Sequence, residues 1–89
     1  MKVIFKYELK TKFEPQTLEL PVDARVLSVG IQNHTICIWI MFNPEFPGTE
    51  HRQFSVVGTG DKDAISNYDI YLGTAQDNQY VWHIFENVL

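Results

Sequence analysis

The sequence predicts a small all-β protein, an antiparallel β-sandwich or barrel of about seven strands. Apolar and polar residues alternate with period two along most of the chain. Clusters of proline, glycine and asparagine interrupt that alternation at near-regular spacing. The chain has 89 residues, 45% of them hydrophobic, enough for one core and too few for two. Residues 1–89 are therefore read as a single β domain.

Val3, Phe5, Tyr7 and Leu9 alternate with Lys2, Ile4, Lys6, Glu8 and Lys10, which predicts a half-buried first strand. Phe13-Glu14-Pro15 ends it. Residues 17–20 alternate again and stop at Pro21, with Val22-Asp23-Ala24 as a turn. Residues 25–31 form the third strand, with Leu27, Val29 and Ile31 on one face. Gln32-Asn33-His34-Thr35 reads as a tight hairpin, because asparagine tolerates positive φ. Residues 36–42 are apolar at both parities, as in a central strand covered on both sides by a second layer or a partner. Residues 43–51 hold two prolines and a glycine and read as a loop, in which Phe46 has no periodic reason to sit.

Residues 53–57 predict a fifth strand that runs into Gly58-Thr59-Gly60. The polar segment 61–67 has room for one short helical turn at most. Residues 68–72 predict a sixth strand ended by Gly73, with a turn at Ala75-Gln76-Asp77-Asn78. Residues 80–85 form the last strand. Tyr80, Trp82 and Ile84 lie on one of its faces, and Val81, His83 and Phe85 on the other.

Composition excludes several classes of function. A single cysteine, Cys37, rules out an intramolecular disulfide and a Cys-cluster zinc site. His34, His51 and His83 show no metal-ligand spacing, so no metal is expected. Cys37 lies in an apolar run and reads as an inert small hydrophobe. Ser28, Ser55 and Ser66 lack a nucleophile elbow, and no acid–base pair stands out, so neither catalysis nor a cofactor is expected. Asp61, Asp63 and Asp69 do not follow a calcium-loop pattern and read as a solvated acidic surface. No apolar run approaches the roughly 18 residues of a membrane helix. The N-terminus lacks the apolar block of a signal peptide.

Charge is distributed unevenly. The net charge of -4 argues against a dedicated DNA-binding module. Lys2, Lys6, Lys10 and Lys12 against Glu8 make residues 1–12 basic, and the remainder is acidic. Lys2, Lys6 and Lys10 share one strand face. They either guard an edge strand against aggregation or form a strip that attracts a phosphate or an acidic partner surface.

The most suggestive local feature is Val56-Val57-Gly58-Thr59-Gly60. Two glycines after a strand let the backbone turn sharply and expose N–H groups that can hold an anion. A tight turn or a β-bulge would leave the same pattern. Arg52 and Lys62 flank the segment and add positive charge. Among the twelve aromatics, Trp39, Tyr68, Tyr71, Tyr80 and Trp82 are candidates to stack on a base or a nicotinamide-type ring, with Tyr71 and Trp82 taken into the candidate site, although a domain this small also needs aromatics in its core. The candidate ligand-binding set is therefore Arg52, Gly58, Thr59, Gly60, Lys62, Tyr71 and Trp82.

Pro21-Val22-Asp23-Ala24-Arg25-Val26-Leu27-Ser28-Val29, then Gln32, Trp39, Val56-Val57-Gly58-Thr59-Gly60, Tyr71-Leu72-Gly73-Thr74 and Trp82-His83-Ile84-Phe85-Glu86 resemble, in this order, a small uncharacterised protein family. Its members are short proteins found mostly in phage and prophage genomes. Segments 43–51 and 61–67 depart from it, and no functional residue is carried over. The resemblance implies a phage accessory gene acting in the host bacterial cytoplasm, where such proteins often disable a host defence or redirect a host enzyme.

Two functions follow as expectations. In the first, the protein sequesters a nucleotide-derived host signal without turning it over. Its sites would form between subunits of a homo-oligomer, because one short chain offers little room for a pocket. The alternative is an inhibitor that blocks a host protein by direct contact, through the acidic half of the chain or an open sheet edge.

Overall fold

Seven antiparallel strands form two facing sheets in the computed structural model, which describes residues 1–88. They are β1 (Val3–Leu9), β2 (Gln16–Pro21), β3 (Arg25–Gln32), β4 (Thr35–Phe42), β5 (Thr49–Gly58), β6 (Ile70–Asp77) and β7 (Tyr80–Asn87). One sheet has the order β1-β4-β3 and the other β2-β5-β7-β6. The predicted sandwich is therefore the observed fold.

The inner row of β4, Ile36, Ile38 and Ile40, is fully buried and joins a core with Leu9, Leu20, Phe54, Val56, Ala75 and Ile84. The other row of β4 has no second layer of this chain over it among the described residues. The Trp39 indole lies over Gly30, where an added Cβ would come within 3.2 Å of the ring. Lys6 donates a hydrogen bond to Gln32, linking the two strands that flank β4. Cys37, between Glu8 and Gly30 in the register, is buried by these neighbours rather than by another layer of this chain.

The β3–β4 hairpin turns at Asn33 and His34, both at positive φ, as a type I′ turn requires. A bulge between Val26 and Ser28 changes the predicted inner face of β3. Val26 packs on the core with Val29 and Ile31, and Leu27 is left 43% exposed.

The sixth strand also departs from expectation. It starts at Ile70, leaving Tyr68 outside, and it runs through Gly73 to Asp77. Gly73 does not stop the strand. It sits at a bulge, where β3 meets β6 and a Cβ would lie 2.4 Å from Val29 Cγ2. The following turn contracts to Asn78 and Gln79, with Asn78 at positive φ. Segment 61–67 forms turns and bends without a helical turn. β5 begins at Thr49, so the loop after β4 ends at Gly48.

β5 and β6 both pair antiparallel with β7, so they run in the same direction. Residues 59–69 must therefore travel back along the length of the sheet before β6 can begin. That crossover carries the glycine turn at one end and Asp69 at the other.

The Val29–Gly73 contact holds the edges of the two sheets together. Gly73→Ala should destabilise the protein by about 2 kcal/mol through overpacking. A urea-unfolding midpoint unchanged from wild type would show that the two edges separate freely.

Candidate functional site

Gly58 ends β5 opposite Trp82, and the chain turns through Thr59 and Gly60 to Asp61. Gly60 has φ +91, a conformation that glycine adopts without strain. The Asp61 N–H donates to the Gly58 carbonyl at 3.1 Å. In return, Asp61 Oδ2 accepts the Gly58 N–H at 2.8 Å. This corrects the expectation of an outward-facing amide at Gly58. The protein's own carboxylate already fills the position that an external anion would take.

Beside the turn lies an open groove of about 480 Å3, lined by Gly58, Thr59, Asp61, Gln79, Tyr80, Val81 and Trp82. Trp82 packs on the core with one side of its indole. The Tyr80 ring runs nearly parallel to it, at 13° and 6.0 Å between centroids. The tyrosine is 55% exposed, so an aromatic surface faces solvent at the groove.

A row of hydroxyls and one imidazole continues from the turn across the outer face of β7 and β6. Thr59 Oγ1 lies 2.8 Å from His83 Nε2, and His83 Nδ1 lies 3.0 Å from Thr74 Oγ1. Thr74 in turn shares a hydrogen bond with the Tyr71 hydroxyl, and the Tyr71 ring leans on Phe85. Hydroxyls donate or accept, so this row satisfies either tautomer of the imidazole. His83 and Thr74 were absent from the predicted site. Only the strand register, which pairs Val57, His83 and Thr74 across three strands, puts them beside Thr59.

The predicted site residues thus divide. Gly58, Thr59, Gly60 and Trp82 gather around the turn and its groove. Tyr71 joins Thr59 through the hydroxyl row. Lys62 is exposed just beyond Asp61. Arg52 is elsewhere, six residues back along β5 or about 20 Å from Gly58.

Arg52 forms a forked pair with Glu86, Nε to Oε2 at 2.7 Å and Nη2 to Oε1 at 2.8 Å. Its Nη1 also donates to the Ala24 carbonyl at 2.6 Å, in the turn between β2 and β3. The two side chains are only 18% and 13% exposed. The hydrogen bonds to Glu86 hold the Arg52 pKa above its ordinary value, aided by the charges of Glu86 and Glu50 and opposed by burial. This guanidinium is a structural tie between the sheets.

A second, larger groove of about 900 Å3 runs between β5 and the crossover, past Glu50, Gln53, Ser55, Asp63, Ile65 and Asp69. One floor of it is a chain of hydrogen bonds. Ser55 Oγ donates to Asn87 Oδ1 at 2.9 Å, and Asn87 Nδ2 donates to Asp69 Oδ1 at 3.1 Å. The Ser66 N–H donates to Asp69 Oδ2 at 2.9 Å. That backbone bond is the main reason the Asp69 pKa falls below its ordinary value; the side chains of Asn87 and Ser66 add to it, and burial opposes it.

Among the described residues no group of three or more His, Cys, Asp or Glu could hold a metal ion. No helix among them is long and apolar enough to cross a membrane.

Fold and geometry together define an all-β, two-sheet protein with an open aromatic groove beside a self-capped glycine turn. The chain belongs to the family described as "Domain of unknown function (DUF7352)", which matches residues 1–89. No curated protein and no solved structure matches it.

Two outcomes follow from these ties. Arg52→Ala strands Glu86 in a poorly solvated place and should cost about 3 kcal/mol in chemical denaturation. A cost no larger than that of an exposed pair, under about 1 kcal/mol, would refute the structural role. Asp69 has a lowered folded pKa, so its tie is complete above the ordinary value of 3.8 and is lost as pH falls through the lowered one. Amide exchange at Ser66 should accelerate in that acid window, and Asp69→Asn should abolish the extra pH dependence.

Proposed function

We propose that this protein binds a nucleotide-derived small molecule and sequesters it without chemistry. Placed in the phage setting that the sequence resemblance implies, the ligand is a host signal in the bacterial cytoplasm, and its removal weakens a defence. The observation that carries this reading is the groove of about 480 Å3, within the roughly 300–1,000 Å3 of small-molecule sites. It brings Gly58, Thr59 and Trp82 together with an exposed aromatic face. The groove is open, and tight ligand binding buries most of a ligand's surface, so a second copy of the chain closing over it is part of the proposal.

The test is a thermal-shift screen against cyclic nucleotides and ADP-ribose derivatives. A true ligand at a hundredfold excess over its Kd adds about 2.7 kcal/mol and should raise Tm by roughly 10–20 °C in a chain of this size. A flat response to the whole panel would refute the reading.

A second reading has its own support. Ile65, Tyr68, Ile70 and Tyr71 are all exposed along the end of the crossover and the start of the edge strand β6. Exposed tyrosines and aliphatics rimmed by carboxylates suit a protein contact. In that case the chain inhibits a host protein, and Tyr68→Ser with Tyr71→Ser should abolish a stoichiometric pull-down that Phe13→Ser leaves intact.

A further inference from the structure

We infer that the groove takes a nucleoside by its base and sugar and leaves the phosphates in solvent. The inference rests on the proposed reading of this groove as a ligand site, and it reverses the end of the ligand that the glycine turn first suggests.

The case begins with charge. A phosphate cradle needs free backbone amides and a nearby cation. Here the Gly58 amide is bound to Asp61 Oδ2, so the turn already holds an anion. Asp61 and Asp63 flank Lys62, which leaves this stretch net negative. Arg52, the other expected cation, is forked onto Glu86 about 20 Å away. A phosphate entering the groove would face a carboxylate rather than a guanidinium, and like charges at that range repel.

What remains at the groove matches the other end of a nucleotide. Tyr80 shows one ring face to solvent while Trp82 supports it from behind. That is a stacking platform for a base, with its tilt set by the core. Asp61 uses Oδ2 for the turn, and among the described residues Oδ1 has no protein donor. A carboxylate oxygen accepts hydrogen bonds only, so it selects ligand groups that donate, such as sugar hydroxyls or base N–H groups. Gln79, also on the wall, offers both a donor and an acceptor for a base edge. The groove is open, and a second copy that covers its base-binding part would still leave the 5′ substituent a path to solvent.

Calorimetry on the intact chain distinguishes the possibilities, using the four ribonucleosides, their 5′-diphosphates and inorganic pyrophosphate. The expected result is that at least one nucleoside binds as tightly as its diphosphate, within threefold, or more tightly, and that pyrophosphate gives no heat. Asp61→Asn keeps an oxygen for the Gly58 amide but removes the charge. It should weaken nucleoside and diphosphate binding alike, about tenfold, because both are held by the same base and sugar. Tyr80→Ala, at an exposed position, should weaken every nucleoside about tenfold through lost stacking. Circular dichroism confirms that each variant is folded. Diphosphates binding more than threefold tighter than nucleosides, or nucleoside binding unchanged in Asp61→Asn, would overturn this inference and leave the ligand-binding reading in place. No binding by any nucleoside or diphosphate would overturn both.

Discussion

Everything in this molecule is arranged around the inner row of β4. Ile36, Ile38 and Ile40 are completely removed from water, and each such burial is worth about 1.5–3 kcal/mol. A chain of 89 residues has few other sources of that size. The row is useful only if the second sheet supplies a matching surface, which Phe54, Leu20 and Ile84 provide. Two bulges, one in β3 and one in β6, then adjust the edges where the two sheets meet. One puts Val26 rather than Leu27 onto the core, and the other brings Gly73 against Val29. The hydrophobic requirement of one strand thus accounts for irregularities two strands away.

Core burial does not by itself hold the connections, and polar ties complete that work. Arg52 and Glu86 join β5 to β7, and the bond to the Ala24 carbonyl extends the tie to the turn leading into the other sheet. Other ties fasten the crossover, Asp69 through Asn87 and Thr59 through His83. Their partners differ in kind for a physical reason. A largely buried guanidinium needs a carboxylate to balance its charge, whereas the exposed crossover can be held by neutral hydroxyls, an amide and an imidazole.

How much of this was legible in the sequence follows the range of each interaction. β1 and the β3–β4 hairpin were readable because strict alternation and an Asn33 turn act within a few residues. The run at 36–42 identified the central strand for the same reason, through its unbroken apolar character. The inner face of β3 and the extent of β6 were not readable. Period-two counting fails at a bulge, and the need for Gly73 comes from Val29, 44 positions earlier in the numbering. The site divides in the same way. Glycines and aromatics mark the turn and groove locally, whereas His83 and Thr74 reach Thr59 only through the register of three strands. Arg52 was misplaced because proximity in sequence to Gly58 becomes a long separation once the residues lie along one extended strand.

The self-capped turn shows how the same local pattern supports opposite chemistry. Two glycines after a strand make amides available, and amides attract negative charge wherever it comes from. A ligand phosphate and a side-chain carboxylate three residues ahead compete for the same donors. The carboxylate has the advantage of being tethered, since closing a loop that short costs far less entropy than capturing a free ion. Asp61 at this spacing therefore fills the anion position itself, with one oxygen bound to the Gly58 amide and the other without a protein donor among the described residues. The identity of the residue three places beyond the first glycine, more than the glycines themselves, decides the kind of molecule such a turn can recognise.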